Sequence, residues 1–405
     1  MMPLVRLAAR NVTRNKWRSA LSALALVIGV AQMIFGQSLI SGVLRGIIED
    51  AVKTKLGAIQ IYRRGYLDAE QDPLRFQLPD DPALIAAMRT VPGVRAVTRR
   101  IQLEGMLSNG SIAAMFVATA IDPATEYDVC PGRKALVAPG SSPLSSADPS
   151  GILLGGALAE GLGAGAGATL VASAASVAGA TNALDVSVVG RLPESGGYFE
   201  NKAAALLPLS LTQSLLRMPG QVTEYVLDVE DLQAVDSVAQ ALRGRLGPDY
   251  DVRSWRDRPQ IRQMVKTMAV VQGFIGFLLA VLVVSVIANT MLMNIYERVP
   301  EIGTMMALGV RRRAILGLFL YESALIGGLG ALTGVALGLV FVRLGGIGFH
   351  MPATAVAGEL TIYPVLSYAF VAETFVAGVV IAAAAALYPA RQAAQLRPVE
   401  ALRAT

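Results

Sequence analysis

Apolar residues in this chain gather into four long runs instead of spreading evenly. Crossing a bilayer takes about 20 apolar residues, and each run exceeds that. The first lies between Arg18 and Arg45 and the second between Lys266 and Glu297, both without a charge. The third, between Arg313 and Arg343, holds only Glu322, and the fourth, between Glu359 and Arg391, holds only Glu373. Two of the connections are short, and the stretch from about Arg45 to Lys266 is a whole domain. The first run is too long for a signal peptide's apolar core, about 7–15 residues, and its basic flank suits an uncleaved anchor.

The long connection has a different pattern. Short alternating segments broken by Gly, Pro and Asp predict strands at 57–62, 94–107, 112–121, 169–177, 184–189, 203–208, 223–229 and 250–254. Amphipathic spacing predicts helices at 80–91, 155–162, 210–216 and 231–246, the first started by Asp80-Asp81-Pro82. The simplest organisation is two strand–helix–strand units with a β-rich insert near 120–200. Helical pattern continues past Leu44 into Ile47–Val52, and from Asp257 into the second run. Both helices are expected to project as stalks that tie the domain's movement to the membrane part.

The expected architecture is an α-helical membrane protein with four transmembrane helices and a large α+β extracytoplasmic domain inserted between helices one and two. Its parts are an amphipathic helix (1–18), helix 1 and stalk (19–52), the α+β domain (53–256), stalk and helix 2 (257–295), a cytoplasmic coupling helix (296–313), helix 3 (314–342), a short outer loop (343–360), helix 4 (361–390) and a tail (391–405).

Composition agrees. Of 405 residues, 54% are hydrophobic and only 16% charged, with a mean hydropathy of +0.52. Soluble domains carry about 25% charge, so a wholly soluble protein is excluded. Charge then orients the chain by the positive-inside rule. Arg6, Arg10, Arg14, Lys16, Arg18, Arg298, Arg311, Arg312, Arg313, Arg391, Arg397 and Arg403 flank the runs on one side. Only Glu297, Glu301 and Glu400 oppose them there. The long connection, from Arg45 to Lys266, has 22 basic and 24 acidic residues. Both termini are therefore expected in the cytoplasm and the domain outside, in a bacterial inner membrane. The basic pI reflects this asymmetry and predicts no nucleic-acid partner.

Candidate chemistry is sparse. One cysteine, Cys130, and one histidine, His350, exclude an intrachain disulfide and a His/Cys metal cluster, so no metal site and no catalytic residue is predicted. Cys130 beside Pro131-Gly132 reads as an incidental thiol in an outside loop, and His350 as a surface residue. Asp80-Asp81 and Glu230-Asp231 read as helix starts. No G-x-x-x-x-G-K-[ST] occurs in these residues, so ATP is not expected on this chain. Gly330, Gly334 and Gly338 form a small-residue stripe that lets helices approach closely. Glu322 and Glu373 default to functional candidates as intramembrane acids. For Glu322, pairing with a helix end near Arg313 or with another subunit is the stronger reading, since arginine and lysine partners are missing within the runs.

Three segments carry a resemblance. They are Ala9-Arg10-Asn11-Val12-x-Arg14-Asn15-Lys16-x-Arg18, E-R-x-x-E-I-G-x-x-x-A-L-G at Glu297–Gly309, and P-A-R-x-A-A-x-L-x-P-x-E-A-L-R at Pro389–Arg403. With the order span, domain, three spans, the chain resembles the MacB/LolC/LolE/FtsX family of ABC-transporter permeases. Gly57–Ile61, Ile152–Gly155 with Leu158-Ala159, Val188–Gly190 and Val252–Trp255 are similar to strings of the lipoprotein-releasing LolC/LolE branch.

The resemblance implies a non-catalytic permease that pairs with a second copy or a related permease. It implies two cytoplasmic ATPase subunits on separate polypeptides, holding ATP and Mg. Coupling falls on Glu297, Arg298, Glu301, Ile302, Gly303, Ala307, Leu308 and Gly309. A substrate cavity falls on Ile34, Phe35, Leu39, Met264, Met268 and Val271. Membrane lipids and a periplasmic lipoprotein carrier or adaptor are the other implied partners. The leading expectation is mechanotransmissive extraction of lipoproteins or similar lipidated cargo. The alternatives are a MacB-like tripartite efflux permease for amphiphiles or peptides, and an FtsX-like regulator of a cell-wall hydrolase, which the large outer domain argues against.

Overall fold

The computed structural model describes residues 16–69, 73–192, 203–351 and 360–395. The predicted amphipathic helix before Lys16 and the tail beyond Gln395 lie outside them. The chain divides into two compact units, Arg45–Met264 with His350–Leu360, and Met1–Leu44 with Val265–Phe349 and Thr361–Thr405.

Chain order begins with helix α1 (Lys16–Ala51), which passes into π-helical Val52–Leu56. The α+β unit then runs β1 (Ile59–Arg63), β2 (Leu78–Pro79), α2 (Pro82–Arg89), β3 (Val94–Ser108) and β4 (Ala113–Ile121). Next come α3 (Pro123–Val129), α4 (Pro131–Ala135), β5 (Gly151–Gly155), α5 (Gly156–Gly161), β6 (Thr169–Ala175) and β7 (Thr181–Leu192). It closes with β8 (Ala204–Pro208), α6 (Leu209–Leu215), β9 (Gln221–Val222), β10 (Glu224–Val229), α7 (Val235–Leu246) and β11 (Tyr250–Ser254).

Nine of these strands share one sheet, ordered β11-β1-β10-β3-β4-β8-β5-β7-β6. The segments expected as two units and an insert are therefore continuous through β3, whose 15 residues serve both ends. Its first half pairs with β10, opposite Val97 and Thr98, and its second half with β6, where Met106 faces Ser173. That second pairing closes β3, β4, β8, β5, β7 and β6 into a ring. At the other end, β1-α2-β3 and β10-α7-β11 form a split β-α-β-β-α-β arrangement. Strand β10 is buried at every position, as expected for a strand covered on both faces.

Local chemistry starts these elements. Asp81 and Asp122 cap α2 and α3 by accepting from Ala83 N and Ala124 N, with Pro82 and Pro123 opening each helix. Gly57, with φ +67°, ends the π-helix where a Cβ would fall 2.2 Å from Val226 Cγ1. Strand β5 and helices α3 and α4 are absent from the sequence expectation. Helix α7 begins at Val235, because Asp231 forms a turn by accepting from Gln233 N.

The second unit is helical. After α8 (Pro259–Glu297) come α9 (Val299–Ala307), α10 (Arg312–Leu344), α11 (Tyr368–Ala385) and α12 (Leu387–Ala394). Four segments, Ala23–Leu56, Pro259–Glu297, Arg312–Ile347 and Tyr368–Ala394, are long and apolar enough to cross a membrane. Helix α11, the fourth long apolar segment, starts at Tyr368, later than the expected 361. Ser367 caps it by accepting from Phe370 N, after an extended stretch containing Pro364. Leu26, Val30 and Ile34 of α1, Val283 and Ile287 of α8, Ile326 and Ala331 of α10 and Ala382 of α11 form the core. Gly330, Gly334 and Gly338 lie against α1: a Cβ at Gly334 would sit 2.8 Å from Val30 Cβ and 2.9 Å from Val27 O.

Candidate functional site

The 297–309 segment owes its shape to two breaks. Pro300 has no N–H to continue α8 but fits the first turn of a new helix, so α8 stops at Glu297 and Arg298 becomes the N-cap of α9. At the other end Gly309 has φ +87°. Its N–H donates to Met306 O at 3.0 Å and Val310 N–H donates to Met305 O at 3.1 Å, a Schellman closure.

The eight predicted coupling residues divide between two faces. Glu297, Glu301, Ala307, Leu308 and Gly309 are exposed, Leu308 to 81%. Arg298, Ile302 and Gly303 are buried on the other. Ile302 belongs to a small core with Ile295, Ile315, Phe319, Ala390 and Ala393. The Arg298 guanidinium reaches Glu322 of α10 at 3.4 Å, with both side chains nearly dry. Glu322 thus meets an arginine from the loop between runs. A pattern search confined to the runs could not find it.

Between α1, α8 and α11 lies a groove of about 270 Å³ with walls from Leu26, Met33, Gly276, Val283 and Gly378. Glu373 is the ionisable residue on its wall. None of the six predicted substrate residues lines it. Ile34 is fully buried, 3.0 Å from where a Gly338 Cβ would be. Phe35 packs edge-on to Phe341 and Phe349, Leu39 is half-buried, Met268 is half-buried and Val271 exposed on α8. Met264 is buried within the α+β unit. The structure does not bring these six into one described cavity.

In the α+β unit, sequence reasoning missed a buried ionic cluster. Glu126, with no exposed surface, accepts from Arg100 Nε at 3.0 Å and Nη2 at 2.6 Å, and lies 2.9 Å from Arg133 Nε. Arg100 Nη1 and Arg133 Nη2 both donate to Lys55 O, the carbonyl at the end of the π-helix, at 2.8 and 2.7 Å. Burial opposes charge on Arg100, yet the charge and hydrogen bonds of Glu126 outweigh it and raise its pKa. Burial lowers that of Arg133 against the pull of Glu126. Cys130 is corrected from an outside loop to this interior, 3.1 Å from Arg100 Nη2, and burial pushes its thiol pKa up. Asp80 serves as a bidentate partner of Arg99 at 2.9 and 3.0 Å, not as a helix start. The described residues contain no group of three or more His, Cys, Asp or Glu able to hold a metal.

Comparison with known proteins bears on the whole arrangement. Residues 19–245 match the MacB-like periplasmic core domain and residues 273–398 the FtsX-like permease C-terminal region. The macrolide export ATP-binding/permease protein MacB of Bdellovibrio bacteriovorus is 29% identical over 55% of this chain and 35% of its own. The pyoverdine export ATP-binding/permease protein PvdT of Pseudomonas putida is 27% identical over 96% of this chain and 57% of its own. The crystal structure of the periplasmic region of MacB from Actinobacillus actinomycetemcomitans aligns at 13% identity over 55% of this chain and 97% of that one, with a TM-score of 0.38. The chain spans about a third to just over half the length of the curated relatives it matches. With the core-domain match covering more than half of its residues, the chain belongs to the MacB/FtsX family of ABC-transporter permeases.

Proposed function

We propose that this chain is the permease part of an ATP-driven transporter in an inner membrane, moving amphiphilic cargo by mechanical transmission. The observation that carries the reading is the two-faced helix α9. Glu297, Glu301 and Leu308 face outward, while Ile302 and the Arg298–Glu322 pair anchor the other side. A short helix held this way can receive a push from a cytoplasmic ABC ATPase and pass it to α8 and α10. ATP and Mg bind that partner, and the permease works as a pair. Helices α1 and α8 run 36 and 39 residues without a break, which suits transmission along them. The basic flanks support cytoplasmic termini.

For cargo, the related macrolide and pyoverdine exporters favour MacB-like export of amphiphiles with a periplasmic adaptor. The LolC/LolE-like strings favour a second reading, release of lipoproteins to a carrier. Tagged protein purified in mild detergent separates them by mass spectrometry. An ATPase with an adaptor supports export, and an ATPase with a triacylated lipoprotein supports release. Leu308→Asp is expected to keep the fold but lose most of the copurifying ATPase. Absence of any ATPase beside the folded wild-type protein would overturn the transporter reading.

A further inference from the structure

The α+β unit encloses a cavity of about 320 Å³ beside the Arg100–Glu126–Arg133 cluster. That volume is at the lower end of small-molecule sites, ~300–1,000 Å³. Its lining is unusual for a gap between strands. Lys55, Arg100, Arg133 and Arg258 supply four cations, and Glu224 is the carboxylate on the wall.

The carboxylates nearby are already committed. Glu126 is shared by Arg100 and Arg133. Glu224, 2% exposed, accepts from Gln102 Nε2 at 2.8 Å and from the Tyr62 hydroxyl. Burial and Glu224 hold Tyr62 well above the ordinary phenol range, so it stays a neutral donor. Tyr62 stacks on Tyr66 with ring centroids 5.1 Å apart, giving one flat wall. The Arg258 guanidinium, half-buried at the rim, makes no hydrogen bond or ion pair among the described residues. Val117, Leu136, Leu192 and Leu206 supply aliphatic lining.

A cavity with one uncommitted guanidinium and an apolar side selects a ligand that has an anionic head and an apolar body. We infer that it binds a small amphiphilic anion, a carboxylate or phosphate head on a short chain, with Arg258 taking the head and Val117 and Leu206 contacting the chain. This site is separate from the membrane groove and from α9, and its failure would leave the transport reading intact.

The test is equilibrium binding of radiolabelled octanoate to the full chain in phosphatidylcholine nanodiscs, with empty discs subtracted. The expected result is saturable binding, weakened about tenfold by R258Q, the scale of one lost charge-assisted hydrogen bond. R258K keeps the cation and is expected to restore most of it. V117W, which fills the cavity, is expected to abolish binding while far-UV circular dichroism stays unchanged. Discs doped with phosphatidic acid form a second arm. Loss of octanoate binding there identifies a membrane lipid as the source of the head, and unchanged binding identifies a soluble anion. No saturable binding above empty discs would overturn the proposal. So would R258Q behaving as wild type, or octylamine or inorganic phosphate competing as well as unlabelled octanoate.

Discussion

Glu126 shows how much one side chain can hold. It neutralises two buried guanidiniums that together hold the Lys55 carbonyl in the last turn of the π-helix. Glu126→Gln keeps the shape and removes the charge, leaving both arginines uncompensated. Breaking a buried pair this way costs about 3–5 kcal/mol, to be read from denaturant unfolding of the full chain. Cys130 gives a second prediction at this scale. Its raised pKa lowers the thiolate fraction at any given pH, and the folded state excludes reagent. Maleimide labelling at pH 8 is expected to be slow in the native protein and rapid in denaturant. Because the folded pKa lies above the unfolded one, the folded form holds the proton longer. The stability contributed falls as pH rises through the unfolded thiol's range, about 8.5.

Among the elements, helix α10 separates glycines that matter for packing from those that do not. Gly334 has Val30 Cβ and Val27 O within 3 Å of a Cβ position, whereas Gly328 has nothing within 4 Å. Gly334→Leu is expected to force α1 and α10 apart and lower the thermal midpoint sharply. Gly328→Ala is expected to be neutral or stabilising by up to ~1 kcal/mol, the helix-propensity difference. Equal effects would remove the close-approach explanation. Element identity was largely legible here. The strand pattern at 94–107 became β3 at Val94–Ser108, and 250–254 became β11. Helix α3 escaped notice although Asp122-Pro123 repeats the start signal of Asp81-Pro82, because its seven residues are too few to show a period.

At the scale of the molecule, sidedness is the open quantity that charge patterning predicts. In a Cys130→Ser background, Ser146→Cys in the α+β unit is expected to react with an impermeant maleimide on intact cells. Thr304→Cys on α9 is expected to react only after permeabilisation. Both positions are exposed. Labelling of both from the same side would remove the positive-inside assignment, and with it the placement of α9 beside a cytoplasmic ATPase.

Sequence alone determined what depends on local periodicity and on solvent. Four long apolar helices and the short helix between the second and third follow from hydrophobic length and the charges that interrupt it. The resemblance to the permease family likewise came from three segments whose residues stand close together in the chain. Tertiary structure decided what depends on residues far apart meeting in space. Met106 pairs with Ser173 to close a ring of strands, Arg298 finds Glu322, and Arg100 and Arg133 share Glu126. Ile34 of one helix packs into the Gly338 notch of another. Such pairings answer to the cost of leaving a buried charge or strand edge unsatisfied, which no single segment can reveal before its partner is in place.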